Sequence, residues 1–531
     1  MAAAPNDERS IETESVYLVP GAVSPETITR SLEAILPSRH APIVRHRFTV
    51  LDTFDGRVRR AGGCLTRSGA NGATIMAWQP RGGGRVIVRP RQPVSFAWDL
   101  PDGPLQRALA PVIGVRRLLA QAEAEKQGSL LEILDDEGKT VARLRIESGR
   151  ARLPISRSAW HPLPTTLTLI GLRGYEEAFA RIVPVIESRP GVEPCPAGAT
   201  NAILRRVGVP ERGDISTPRV DLASTVRADV GARQIHRALL AILVANEPGV
   251  RASLDTEFLH DFRVAVRRTR ALLGQIKQVF LPEIAQHFST EFSWIGRLTG
   301  PPRDLDVLVL AVRERQMEFA ADDMELLLAF LDKVQQQEHA SLVRALDSER
   351  YRRLLSDWHS FVDRPGLSTR EAPSAGQPLA DLVSRRAWRL SRRIASSAAT
   401  VDDHTPAERL HEVRIDAKKL RYLVDATSQF FDPADMQCIL AALKQVQRVL
   451  GDFNDAHVQE KRLIECGRAF GAAGGPPGAL MTLGRLAEQR HERGRRLHAQ
   501  AVEKLAGFRS RDTRAACRRA FKHARAEELA P

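Results

Sequence analysis

Aromatic residues are scarce in this chain, 5% of its 531 positions. Proteins that hold single-stranded nucleic acid without sequence preference set stacking platforms beside their charge, so the scarcity weighs against that class. The five cysteines, Cys64, Cys195, Cys438, Cys466 and Cys517, stand singly with no CxxC pair. Such spacing supports neither a disulfide framework nor a zinc site, and it fits a reducing cytoplasm. No apolar run approaches the roughly 18–20 residues a membrane-spanning helix needs, so no membrane partner is expected. The opening MAAAPNDERS has no basic stretch leading into an apolar core, hence no secretory signal is read there.

What the chain has is positive charge. Its formal net charge of +14 and pI near 10.1 favour an acidic partner: nucleic acid, an anionic membrane or a phosphate polymer. The length predicts at least two domains. Residues 1–188 carry short β-like runs between Gly/Pro turn signals, as in IVRHRFTVLDTFDG and TTLTLIGLRG, with one helical piece at roughly 103–124. Residues 189–224 read as a Pro/Gly-rich linker. Residues 225–525 read as long amphipathic helices, in two halves at about 225–363 and 379–525.

Those halves repeat each other. LHDFRVAVRRTR (259–270) aligns without gaps on LHEVRIDAKKLR (410–421), at an offset of 151 residues. His260, Arg263, Arg267, Arg268 and Arg270 fall on His411, Arg414, Lys418, Lys419 and Arg421. The same offset sets the turn GPPRDLDVL (300–308) on GDFNDAHVQ (451–459), so that Asp304 meets Asp455. One register held over two blocks predicts two copies of a multi-helix unit about a pseudo-two-fold axis.

At about 100° per residue, His260, Arg263, Arg267 and Arg270 share an arc of about 80°, and the apolar residues lie opposite. Arg268 falls off this row at about 80° from His260. His411, Arg414, Lys418 and Arg421 form the second row. Each row rises about 15 Å over ten residues, more than one phosphate needs. A single basic row is commonly a solvated face. Two rows in matched register, each keeping its histidine, fit an extended polyphosphate-like anion better, with Arg supplying forked hydrogen bonds and Lys a point charge. For Asp304 and Asp306, helix capping or pairing with arginine is expected rather than metal ligation, because the second copy carries Asp455 and His457 instead.

The paired HDFRVAVRRTR and GPPRDLDVL segments and their second copies resemble the CHAD domain, a conserved-histidine helical module built of two related bundles around a basic groove. The resemblance spans roughly 226–520. It implies binding of inorganic polyphosphate through His260, Arg263, Arg267, Arg268, Arg270, His411, Arg414, Lys418, Lys419 and Arg421, and association with polyphosphate granules in a bacterial cytoplasm. The second turn departs from the pattern at Asn454 and His457.

The segment before it resembles a worn CYTH domain, the triphosphate-tunnel barrel, through LDTFDGRVRRAGGCLTRSG (51–69) and DGPLQRALAPVIGVRRLL (102–119). That family's Glu-x-Glu-x-Lys opening keeps Glu12 and Glu14 here but has Val16 at the lysine. Thr66, Gln79, Thr166 and Thr168 stand where charged tunnel residues are expected. The fold class expected is therefore multi-domain α+β: an antiparallel β-barrel-like CYTH-type domain, then an all-α CHAD domain of two pseudo-symmetric helical bundles. The function expected is non-enzymatic polyphosphate binding, with no catalytic residue, cofactor or metal. Two alternatives stay open: a metal-dependent triphosphatase in the barrel, and non-specific nucleic-acid binding by the basic helices and the tail.

Overall fold

The computed structural model describes residues 14–19, 24–70, 72–80, 85–155, 158–195, 198–210, 218, 220–315, 321–364, 372–402 and 404–522. The chain divides into two compact units, 1–214 and 215–531.

The first unit holds β1 (Glu14–Val19), α1 (Pro25–Glu33), β2 (Ser38–Asp52), α2 (Arg57–Arg60), β3 (Cys64–Ala70), β4 (Ala73–Gln79), β5 (Val86–Val88), α3 (Pro104–Ile113), β6 (Leu119–Leu134), β7 (Thr140–Arg152), β8 (His161–Gly171), α4 (Glu176–Glu187), β9 (Glu193–Pro194) and α5 (Ala199–Arg206). The strands form one antiparallel sheet in the order β5-β4-β3-β2-β6-β7-β8-β1-β9. On one face, α1 and α4 bury Leu32, Phe179 and Ile186 with Tyr17, Leu144, Ile146 and Leu167. Farther along that face, α3 buries Leu105, Leu109 and Ile113 with Leu65, Met76 and Trp78. The other face holds Val50, Ala122, Ala124, Ala151 and Leu163, packed on Ile203 and Leu204 of α5.

Two expectations are corrected here. The helix expected over 103–124 ends at Ile113, where Gly114 takes a left-handed φ of 58° that glycine adopts at little cost. The Ala- and Glu-rich stretch after it is strand β6, because its side chains alternate and pair with both β2 and β7. Likewise, the segment read as a linker includes α5, whose Ile203 and Leu204 are buried in the first unit.

The second unit is helical: α6 (Ala228–Arg251), α7 (Thr256–Gln275), α8 (Pro282–Leu298), α9 (Gly300–Arg313), α10 (Ala321–Leu346) and α11 (Glu349–Asp363), then α12 (Leu379–Ala399), α13 (Ala407–Asp425), α14 (Pro433–Ala472), α15 (Pro477–Phe508) and α16 (Arg511–Lys522). The starts of α6, α7 and α8 recur 151 residues later as those of α12, α13 and α14. A pseudo-two-fold relation is visible in the backbone itself. Ala228 N donates to Gln377 O at 2.8 Å, and its counterpart Leu379 N donates to Val226 O at 2.9 Å. Between them, Arg227 bridges Pro378, its own counterpart.

The copies differ at the expected turn. Pro301 and Pro302 cannot extend a hydrogen-bonded helix from before, so α8 stops and α9 begins at Gly300. The second copy has Asp452 and Phe453 there, and α14 runs through without a turn for 40 residues. The halves also differ inside. Trp358, wholly buried, packs with Phe288 at 4.6 Å and His236 at 5.1 Å, whereas Ala387 occupies the position equivalent to His236. No helix among the described residues is long and apolar enough to cross a membrane.

Candidate functional site

Asp255 fixes the start of α7 by accepting from the backbone N–H groups of Glu257 and Phe258. This sets the phase of the basic row. The apolar side of α7, including Phe258, Phe262 and Val266, is buried, as are Leu410, Val413, Ala417 and Leu420 on α13. With α7 packed on α13, cations from both helices converge.

Four of the ten predicted residues form this convergence: Arg263, Arg267, Arg414 and Lys418. Burial, then the charge of Arg267, pushes the Arg263 guanidinium down to about 10. Burial, then Arg414 and Arg267, pushes the Lys418 ammonium down to about 7. Burial also lowers Arg414, despite Asp455 at 3.7 Å. The Nε atoms of Arg263, Arg267 and Arg414 are buried without a hydrogen-bond partner among the described residues. Arg263 is held from its other end, Nη1 donating to Thr299 Oγ1 at 3.0 Å and Gly296 O at 3.3 Å. Among the described residues, no carboxylate stands within 4.0 Å of Arg263, Arg267 or Lys418.

The other predicted residues are placed differently. Arg268 is 7% exposed, donates to Asp425 at 3.3 Å and lies over the Tyr422 ring, fastening α7 to α13. Lys419 pairs with Asp416 at 3.3 Å. Arg421 donates to Gln447 at 3.0 Å and lies 3.4 Å from Asp425. Arg270 is lowered by burial and by Arg297, a cation that periodicity on α7 alone did not single out. His411 Nδ1 lies 3.0 Å from Asn454 Oδ1, so the departure at Asn454 supplies the histidine's partner. His260 is half-buried on α7.

The carboxylates beside the groove serve the bundle. Asp304 accepts from Arg462 at 3.2 Å, joining α9 to α14. Asp306 is buried and accepts from Gln335 at 2.7 Å; burial pushes its carboxyl up to about 6. Neither caps α9, whose first residue is Gly300. No cluster of three or more potential metal ligands occurs among the described residues.

The α5-bearing face of the sheet carries its own charges. Lys126 is 6% exposed and stands 4.0 Å from Glu147, which also lies 3.6 Å from His46. Arg145 Nε is buried without a partner among the described residues. Sequence reading missed Lys126, Arg145 and Glu147, although the period-two alternation of β6 and β7 would have placed them on one face. Thr166 and Thr168 are buried on β8, with Thr166 across from Glu147 and Thr168 across from Val16. Glu14 is at the exposed start of β1, Thr66 and Gln79 are half-buried, and Glu12 lies outside the described residues.

Comparison with known proteins adds the following. Two uncharacterized proteins from strains of Mycobacterium tuberculosis are each 28% identical to this chain over 289 residues. The match covers 52% of this chain, and the chain spans about half the length of these curated relatives. Among solved structures, the CHAD domain from the plant Ricinus communis is similar over 55% of this chain and 96% of its own, with 25% identity and a TM-score of 0.47. A putative adenylyl cyclase from Hippeastrum, described as having a dominant triphosphatase activity, is similar over 38% of this chain and 99% of its own, with 13% identity and a TM-score of 0.25. The family model for the CHAD domain matches residues 234–464, which include both basic rows, and the helical unit of this chain therefore contains a CHAD domain.

Proposed function

We propose that the helical unit binds inorganic polyphosphate non-enzymatically in the groove between α7 and α13, and that this binding carries the protein to polyphosphate granules. The supporting observation is the cluster of Arg263, Arg267, Arg414 and Lys418, four cations that share one carboxylate within 4.0 Å, Asp455 on Arg414, and that leave three guanidinium Nε donors unpartnered among the described residues. Buried donors and cations are costly when unmatched. Phosphate oxygens would accept from the guanidinium groups and offset the mutual repulsion, and charge-assisted bonds of this kind are the strong ones.

Symmetry favours the same ligand. The two rows are related by a pseudo-two-fold axis, so the groove presents similar charges from either end. Linear polyphosphate reads the same in both directions, whereas a nucleic-acid strand has polarity. A non-directional polymer fits such a groove more simply.

A triphosphatase reading for the sheet unit draws on Lys126, Arg145 and Glu147. Against it, the same face is partly filled by α5, and Val16, Thr66, Gln79, Thr166 and Thr168 replace charged residues. The test is titration of the full chain with polyphosphate, beside a Lys126→Gln/Arg145→Gln variant. Binding by that variant within about twofold of wild type supports the groove; loss of binding moves the site to the sheet. Release of phosphate from triphosphate with magnesium or manganese would contradict the non-enzymatic reading.

A further inference from the structure

The solvent side of α12 carries a concentration of charge that the groove does not use. The helix holds five arginines, Arg385, Arg386, Arg389, Arg392 and Arg393, against one acidic residue, Asp381. Its opposite side, with Val383, Ala387, Leu390 and Ile394, is buried, so the arginines share the outward face. Arg389, Arg392 and Arg393 are exposed.

Neutral amides hold two of these cations. Arg385 Nη2 donates to Gln377 Oε1 at 2.7 Å, and Arg386 Nε donates to Gln275 Oε1 at 2.7 Å. An amide orients a guanidinium without cancelling its charge. Among the described residues, Asp416 is the carboxylate paired with this face, and it is shared by Arg393 at 2.6 Å and Lys419 at 3.3 Å. Some exposed arginines elsewhere in the unit do carry a carboxylate of their own: Arg350 sits on Glu291, and Arg353 on Glu349.

The fold does not require this row. The pseudo-two-fold mate α6 has Gln234, Ile235, Ala238, Ala241 and Ile242 at the equivalent positions, yet it packs as a helix in the same place within its half. The row is also separate from the groove. Lys419 lies about 100° around α13 from Lys418, and Arg386 meets the last residue of α7 rather than its basic row.

We propose that the arginine face of α12 is a second polyphosphate contact, engaged by chains too long for the groove alone. This rests on the reading that the groove binds polyphosphate. A long chain held at both places gains the avidity of a tethered second site, whereas a short chain occupies the groove and gains nothing.

The test uses the full chain with Arg389→Gln and Arg392→Gln together. Inorganic polyphosphate of about ten and about one hundred phosphates is titrated over a range of salt, as salt slopes report the charges engaged. The expected result is short-chain affinity within about twofold of wild type, long-chain affinity lower by about five- to tenfold, and a long-chain salt slope reduced by about one to two. An Arg389→Lys/Arg392→Lys variant should keep most of the long-chain affinity, which separates lost charge from lost fold. Unchanged long-chain binding, or equal losses for short and long chains, overturns the proposal. So does a loss confined to single-stranded DNA, which would make this face a nucleic-acid contact. Failure of the groove reading is distinguishable: reversing Arg263, Arg267, Arg414 and Lys418 would then leave short-chain binding intact.

Discussion

The two halves of the helical unit began from one pattern and have diverged in different places. Both keep a basic row on the second helix, and the rows converge from α7 and α13. Around that shared element much has changed. Two prolines split α8 from α9 where α14 is continuous, His236 and Trp358 fill a core where the second half has Ala387, and Arg267 faces Lys418. The retained feature is the one that costs stability, since mutually repelling, partly buried cations do not help a bundle fold. Their persistence in both copies is better explained by a ligand than by packing.

That comparison predicts, first, that both halves of the groove matter. Reversing Arg263 and Arg267 to Glu should weaken polyphosphate binding by about a hundredfold or more, and reversing Arg414 and Lys418 should do about the same, given roughly 1.5–3 kcal/mol per charged hydrogen bond. Titration of each double variant checks this. A large loss from one pair and none from the other would break the symmetry between the rows.

The next largest effect belongs to the first half alone. Burial pushes His236 down to about 3, so below its ordinary 6.5 the unfolded chain takes up a proton that the folded chain refuses. Stability should therefore fall as pH drops from about 6.5 towards 3, by about 3–5 kcal/mol over the whole window. Urea unfolding at several pH values reads this, with hydrogen exchange locating the weakened helices in α6 and α11. A His236→Phe variant should flatten the dependence below pH 6.5.

A smaller effect belongs to the second half. The Lys418 ammonium, pushed down to about 7, is partly neutral above that pH in the free groove, and bound phosphate should restore its charge. Polyphosphate affinity should therefore fall about three- to tenfold between pH 7 and 9, with proton uptake on binding. In the free protein the sign is opposite: stability rises from about pH 7 towards the ordinary lysine value, because the unfolded chain binds the extra proton. Lys418→Arg should remove the affinity trend; an unchanged slope in that variant would mean another group titrates.

The rows and their pairing were legible in the sequence because helical periodicity and a gapless repeat are local, one-dimensional signals. Which members face the groove was not. Arg268 and Lys419 lie on the flank of their helices, and their ion pairs with Asp425 and Asp416 are decided by residues on another helix or another turn. The break at Gly300 was legible in Pro301 and Pro302, but extending a turn to Gly451 overlooked that no proline stands there. In the sheet unit, helix-favouring Ala and Glu masked the alternation of β6, and with it Lys126. Long-range pairing with β2 and β7 overrides such local preference.

The most direct test of the central claim is polyphosphate titration of the full chain with Arg263, Arg267, Arg414 and Lys418 all reversed to Glu, with helicity and thermal unfolding checked first. Loss of measurable short-chain binding, together with a flattened salt dependence of whatever remains, is the result predicted. Wild-type affinity in a folded quadruple variant would contradict the account.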